Sequence, residues 1–204
     1  LELPEGPLPP DAVLTSDYQL ALPRPPRQAL HYTLSSRTQY RGVQPLSPAQ
    51  RRIDIALPQG RNPRTLALAR QLRAAASDER GFIEAVLARF RDAGFAYTLT
   101  PQRLGAQPVD EFLFDTRAGF CGHYASAFAL LMRAGGVPAH VVTGYQGGEW
   151  NPIGGYYLVR QSHAHAWTEV WLDGEGWRRI DPTAVVAPAR LEGESVDLLP
   201  GAAR

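Results

Sequence analysis

Apolar residues recur along this chain with two different periods, and each change of period marks an element. Over residues 29–40 the order alternates, with Leu30, Tyr32 and Leu34 on one face. Residues 51–57 carry Ile53 and Ile55 two apart, so both runs predict half-buried strands. At Asn62 the period lengthens. Asn62 can cap a helix, Pro63 suits its first turn, and Leu66, Ala69, Leu72 and Arg73 mark a face ending near Ala76. Asp78 predicts a second N-cap, followed by Phe82, Ile83, Val86, Leu87 and Phe90 and closed by Gly94 in the left-handed position. Residues 95–99 read as a short extended segment.

A third helix starts near Cys121, with Ala125, Phe128, Ala129 and Met132 on its apolar face and Gly135 and Gly136 at its end. Strands follow over 139–145, 155–161, 163–172 and 177–180. The predicted class is α+β: a helix starting at Cys121 packed on an antiparallel sheet, preceded by a small β-rich N-terminal segment. Prolines crowd residues 1–12 and return at Pro23, Pro25 and Pro26, which reads as extended linker. The expected organisation is linker and N-terminal strands over 1–60, a core over 61–183 and an exit segment over 184–204.

Composition narrows the partners. With 204 residues, 44% of them hydrophobic, and a net charge of +1, the chain has no field that would recruit nucleic acid or an anionic membrane surface. No stretch approaches the roughly 18 apolar residues that a membrane helix needs. The chain begins at Leu1 and its one methionine is Met132, so it reads as a piece of a longer protein. Cys121 is the single cysteine, which excludes an internal disulfide, and all 21 basic residues are arginine.

Cys121 stands in R-A-G-F-C-G-H-Y-A, where a helix begins. The first N–H groups of a helix lack internal partners and carry roughly half a positive charge, which favours a thiolate and can hold an oxyanion. A lone helical cysteine is more often a small buried hydrophobe, so a partner must be found. The run S-H-A-H-A-W-T-E-V-W supplies one, because alternation puts His163, His165, Trp167, Glu169 and Trp171 on a single strand face. A neutral imidazole there would take the thiol proton. After D-G-E-G the strand G-W-R-R-I-D-P-T returns antiparallel. A three-residue turn, 173–175, places Asp181 opposite Trp167 and diagonal to His165, a span of about 7–8 Å that the side chains can close. A two- or four-residue turn would put Asp181 on the wrong face. Glu169 lies too far along to orient His165 and is expected to meet Arg178 or Arg179. Residues 146–155, with four glycines and Trp150, read equally as a lid and as a plain hairpin. A metal site would use His163 with His165, and His123 or His140, but H-x-H without a fixed third ligand is weak, so no metal or cofactor is assigned.

Three motifs in one order, G-F-C-G-H-Y-A, H-A-W-T-E-V-W and G-W-R-R-I-D-P-T, resemble the bacterial transglutaminase-like superfamily, with its papain-like Cys-His-Asp site. The likeness runs from about residue 95 to 183, and the upstream elements resemble the extracytoplasmic domain of TgpA-type inner-membrane proteins. The resemblance implies Cys121 as nucleophile, His165 (the histidine directly before A-W, not His163) as base and Asp181 as its orienter. It leaves a second oxyanion donor open among Tyr97, Trp150 and His123, each of which reads as well as core or loop filler. It implies acyl transfer from a glutamine carboxamide to a primary amine through a thioester, with a protein or peptide donor and an amine acceptor. The same triad with water would be a protease or amidase, and a non-catalytic interaction module on the same fold stands as a third reading. A periplasmic place, with membrane helices flanking this fragment, also follows from the resemblance.

Overall fold

The computed structural model of the chain describes residues 3–5, 8, 10–15, 20–33, 35–37 and 45–188. Its contacts divide it into two units, Leu1–Val43 and Gln44–Arg204. In the first, β1 (Leu3–Glu5), β2 (Val13–Leu14), β3 (Leu20–Ala21) and β4 (Ser35–Arg37) make two antiparallel pairs, β1 with β4 and β2 with β3. Of the strand expected over 29–40, residues 35–37 are β4 and residues 29–33 form none. Leu34 and residues 38–40 lie outside the described residues, as do residues 189–204 of the expected exit segment.

The larger unit corrects the second expected strand. Residues 48–54 are a helix, α1 (Pro48–Asp54), whose N-cap Ser47 accepts a hydrogen bond from the Gln50 N–H. Its burial runs against its hydrophobicity. Ile53 is 61% exposed while Asp54 is 3% exposed, held by the Gln50 side chain. The two helices expected next are α2 (Pro63–Ala75) and α3 (Glu79–Asp92), the latter capped by Asp78 and followed by Gly94 at φ +71°. Asn62 does not cap α2. It sits in the left-handed region, and its Oδ1 accepts the N–H groups of Val109 and Asp110 in a short helix, α4 (Pro108–Asp110). Asp110 returns the bond: its carboxylate accepts the Arg64 and Thr65 N–H groups and the Thr65 hydroxyl at 2.6–2.9 Å, so each helix start is capped by a residue of the other.

Between these helices and the site run β5 (Ala96–Tyr97), a π-helical turn over Glu111–Thr116 that ends at left-handed Arg117, and β6 (Ala118–Gly119), which pairs parallel with β5. That pairing delivers the chain to α5 (Cys121–Ala134), the centre of the core. Tyr124, Phe128, Leu131 and Met132 of α5 are wholly buried, with Phe82, Phe90 and Phe112 packed around them. The Tyr124 hydroxyl donates to Ala96 O at 2.7 Å, which ties α5 to β5. At the far end a Cβ on Gly135 would collide with the Phe82 ring, so only glycine lets α3 approach there.

One face of α5 rests on a three-stranded antiparallel sheet in the order β11-β10-β7, made of β7 (Ala139–Tyr145), β10 (Ala164–Leu172) and β11 (Gly176–Ile180). The small, buried Ala166, Thr168 and Val170 of β10 turn toward α5, and the Thr168 hydroxyl donates to Ala125 O at 2.9 Å. Between β7 and β10 a hairpin of β8 (Glu149–Asn151) and β9 (Tyr156–Leu158) projects. After β11 comes α6 (Thr183–Val186), whose Val185 and Val186 pack on the core.

Candidate active site

The start of α5 is shaped for a close approach. Gly119 has the His123 ring so near that an added Cβ would lie 2.7 Å from His123 Cγ. Phe120 is the extended N-cap, and its N–H reaches His123 Nδ1 at 3.4 Å. Cys121 and Gly122 therefore occupy the first turn, where the helix offers their N–H groups no carbonyl.

The sheet brings the other two residues. In β10 and β11, Leu172 pairs with Gly176 and Thr168 with Ile180, so the turn is the three residues 173–175 and Asp181 follows directly after the last paired residue. His165 Nε2 and Asp181 Oδ2 are 2.6 Å apart, with the two side chains 9% and 11% exposed. Asp181 Oδ1 accepts the Thr183 N–H at 3.1 Å. Cys121 is the other group that acts on His165, and with Nε2 taken by the carboxylate the ring nitrogen left over is Nδ1.

These contacts set the charges. Burial alone would push the Cys121 thiol up, but the His165 hydrogen bond, the N–H groups of Ala166 and Gly122 and the imidazole charge bring it below its ordinary value. Burial would lower His165, yet hydrogen bonds and charge from Asp181 and Cys121 raise it to about 9. Burial would raise Asp181, but His165, the Thr183 N–H and Arg179 hold it below the usual carboxylate range. Both shifts favour the thiolate–imidazolium form of the pair over the neutral one.

The remaining sequence candidates make other contacts. His163 falls in a 3₁₀ turn ahead of β10, with Nδ1 accepting the Arg160 N–H, so it does not share a strand face with His165. Glu169 turns to His140 Nε2 at 3.3 Å instead of to Arg178 or Arg179. Trp150 packs on Tyr157 in the hairpin and is half exposed, Tyr97 stacks on Tyr124, and His123 packs edge-on against Phe120. An apolar cavity of about 300 Å³ opens beside the helix start, lined by Leu104, Val109, Phe112, Phe120 and His123 among others. Sequence reasoning missed Trp167 and Arg179 as parts of the site. Their spacing was the available signal, since each lies two strand positions from a triad member.

Residues 66–182 match the model of the transglutaminase-like superfamily core. The chain belongs to the transglutaminase-like superfamily. Within this superfamily it is 49% identical to a protein-glutamine gamma-glutamyltransferase of Pseudomonas aeruginosa over 182 residues, which cover 89% of this chain and 27% of that relative. It is 42% identical over 79 residues to the uncharacterized protein YebA of Bacillus subtilis, covering 37% of this chain and 11% of YebA. The chain thus spans about a quarter or less of the length of these two relatives. Two crystal structures of the periplasmic domain of TgpA from Pseudomonas aeruginosa, one of them bound to ethylmercury, superpose with TM-scores of 0.83 and 0.84. Both are 49% identical and cover 90% of this chain, which covers 66% and 64% of theirs. The α+β fold expected from sequence is the fold of that domain.

Proposed function

We propose that this chain is the catalytic domain of a transglutaminase, with Cys121 as nucleophile, His165 as general base and acid, and Asp181 as the group that orients and charges His165. The observation that carries the reading is the 2.6 Å contact of His165 Nε2 with Asp181 Oδ2, together with the mutual influence of the same imidazole and the Cys121 thiol on each other's protonation. The Cys121 thiolate attacks the carbonyl carbon of a glutamine side-chain amide, and the oxyanion is met by the free N–H groups at the start of α5. The C–N bond then breaks, His165 gives its proton to the departing ammonia, and a thioester remains. A primary amine next loses a proton to His165 as it attacks the thioester. The new amide forms, and the thiolate returns with the imidazolium.

Transfer is preferred to hydrolysis because the 49% identical relative is a protein-glutamine gamma-glutamyltransferase. The substrates are then a protein or peptide glutamine and an amine acceptor. By likeness to the periplasmic domain of TgpA, the domain works in the periplasm, with membrane-spanning segments elsewhere in the full protein. None of the helices among the described residues is long and apolar enough to cross a membrane.

The test is mass spectrometry of glutamine peptides incubated with the domain, with and without a primary amine. Amine incorporation that disappears in Cys121→Ala is the expected result. Deamidation or cleavage that an added amine does not redirect would assign the triad to hydrolysis. Unmodified peptides across a broad panel would count against an enzyme.

A further inference from the structure

Arg179 lies two residues before Asp181, and its guanidinium joins three elements. It rests over the Trp167 ring of β10, 4.3 Å from the centroid. Nη2 donates to Gln146 Oε1 at 3.1 Å, just past the end of β7. The same nitrogen is 3.5 Å from Asp181 Oδ2, the oxygen that also meets His165. Trp167 in turn lies alongside His165, with ring planes 22° apart. Guanidinium, indole and imidazole therefore form a layer against the His165–Asp181 bond, whose partners are nearly buried although the Arg179 side chain is 48% exposed. Gln146 also donates its N–H to His163 O, so the guanidinium ties the root of the β8–β9 hairpin to the carboxylate.

We propose that Arg179 is a positioning residue that locks Asp181, Trp167 and Gln146 into one unit and thereby holds His165 where it pairs with Cys121. This rests on the reading of Cys121, His165 and Asp181 as the reacting groups, and it holds whether an amine or water resolves the acyl-enzyme. The role suits arginine: a planar guanidinium lies flat on an indole while its edge donates to two oxygens, whereas an ammonium is a compact, strongly hydrated charge with no plane to stack.

The charged groups around the pair are few. Helix α5 brings Cys121 and, packed on Gly119 and Phe120, His123, which burial holds toward its neutral form, and β11 with its exit brings Arg179 and Asp181. Strand β7 and its exit bring Gly144 and Gln146, which are uncharged, and α6 brings only the Thr183 N–H. Glu169 is committed to His140 and His163 to the Arg160 N–H. Removing the guanidinium has two opposed effects: it frees Asp181 and admits water, which weakens the imidazolium, and it removes a like charge, which strengthens it. The charge of a half-exposed side chain is screened by water and salt, so the loss of order dominates.

The experiment follows the rate of Cys121 alkylation by iodoacetamide against pH, together with the melting temperature, in wild type, Arg179→Met, Arg179→Lys, Gln146→Leu and the Arg179→Met/Gln146→Leu double variant. In Arg179→Met the acid limb is expected to move to higher pH by about half a unit or more, with Arg179→Lys recovering only part. Gln146→Leu moves it the same way by less, and the double variant goes no further than Arg179→Met, because Gln146 acts through the guanidinium. A limb that stays in place, or moves to lower pH, overturns the proposal, as does a lower melting temperature with an unmoved limb. If Arg179→Met does not fold, Gln146→Leu decides by the same limb. A wild type with an ordinary thiol profile would instead reject the reading of the triad itself.

Discussion

At position 165 two opposed effects meet: burial favours the neutral imidazole, while the bonds to Asp181 and Cys121 favour the cation and carry its pKa to about 9. The sign fixes the pH profile of the proposed acyl transfer. As pH falls through the lowered pKa of Cys121 the thiolate is lost, and as pH rises through about 9 the imidazolium loses the proton that departing ammonia requires, so the rate falls on both sides. Asp181→Asn removes the anion and can turn an amide N–H toward Nε2, which flips the tautomer and takes Nδ1 away as acceptor. Turnover is expected to fall about 100-fold or more with the melting temperature little changed, and the alkylation profile to move toward that of an ordinary thiol. Wild-type turnover in Asp181→Asn would remove that residue from the site. The two histidines divide the same way: His165→Ala abolishes alkylation at low pH, whereas His163→Ala, which loses only a bond to the Arg160 N–H, leaves it within about twofold. Equal losses in both variants would show that the base is wrongly assigned.

The exchange of caps between α2 and α4 makes a prediction at the scale of the element. Asp110 is 3% exposed, and its carboxylate accepts three bonds from Arg64 and Thr65. Asp110→Ala strips α2 of its cap and leaves buried donors unmet, at a cost of about 2–4 kcal/mol. Denaturant unfolding should show that loss while the pH profile of Cys121 alkylation keeps its shape, and a shifted profile would mean that α2 is coupled to the site. This exchange also shows where sequence reading ends. Asn62 has the residue type and position of an N-cap, but its partner lies 47 residues away and only the fold reveals it. Helix α1 was misread because Ile53 and Ile55 imitate a strand, although Ser47 and Pro48 carry the helix-start signal. Its one buried residue is an acid, so hydrophobic periodicity pointed the wrong way. By contrast the β10–β11 hairpin takes the three-residue turn that the sequence offered beside two- and four-residue ones, and of the three only that turn puts Asp181 on the face of His165. Arg179 was visible as a strand residue but not as a clamp, since its contacts with Trp167 and Gln146 join two strands and the exit of a third.

Across the whole polypeptide, composition limits what the proposed acyl transfer could do to the chain itself. The reaction needs a glutamine and a primary amine, and this chain has eleven glutamines but no lysine. Arginine cannot take the place of the amine, because its guanidinium stays protonated and its electrons are delocalised. Several glutamines are also occupied: Gln50 holds Asp54, Gln107 accepts the Asn62 N–H, Gln146 accepts from Arg179 and Gln161 from the Tyr145 hydroxyl. The domain can therefore serve as an acyl donor to an added amine, at glutamines outside these contacts, but apart from its terminal amine it offers no acceptor. Incubated alone, it should remain a single band under denaturing electrophoresis. With a fluorescent primary amine, any label should map to a glutamine and vanish in Cys121→Ala. Isopeptide-linked multimers formed without added protein, through bonds that do not involve the terminal amine, would show that the acceptor chemistry proposed here is wrong.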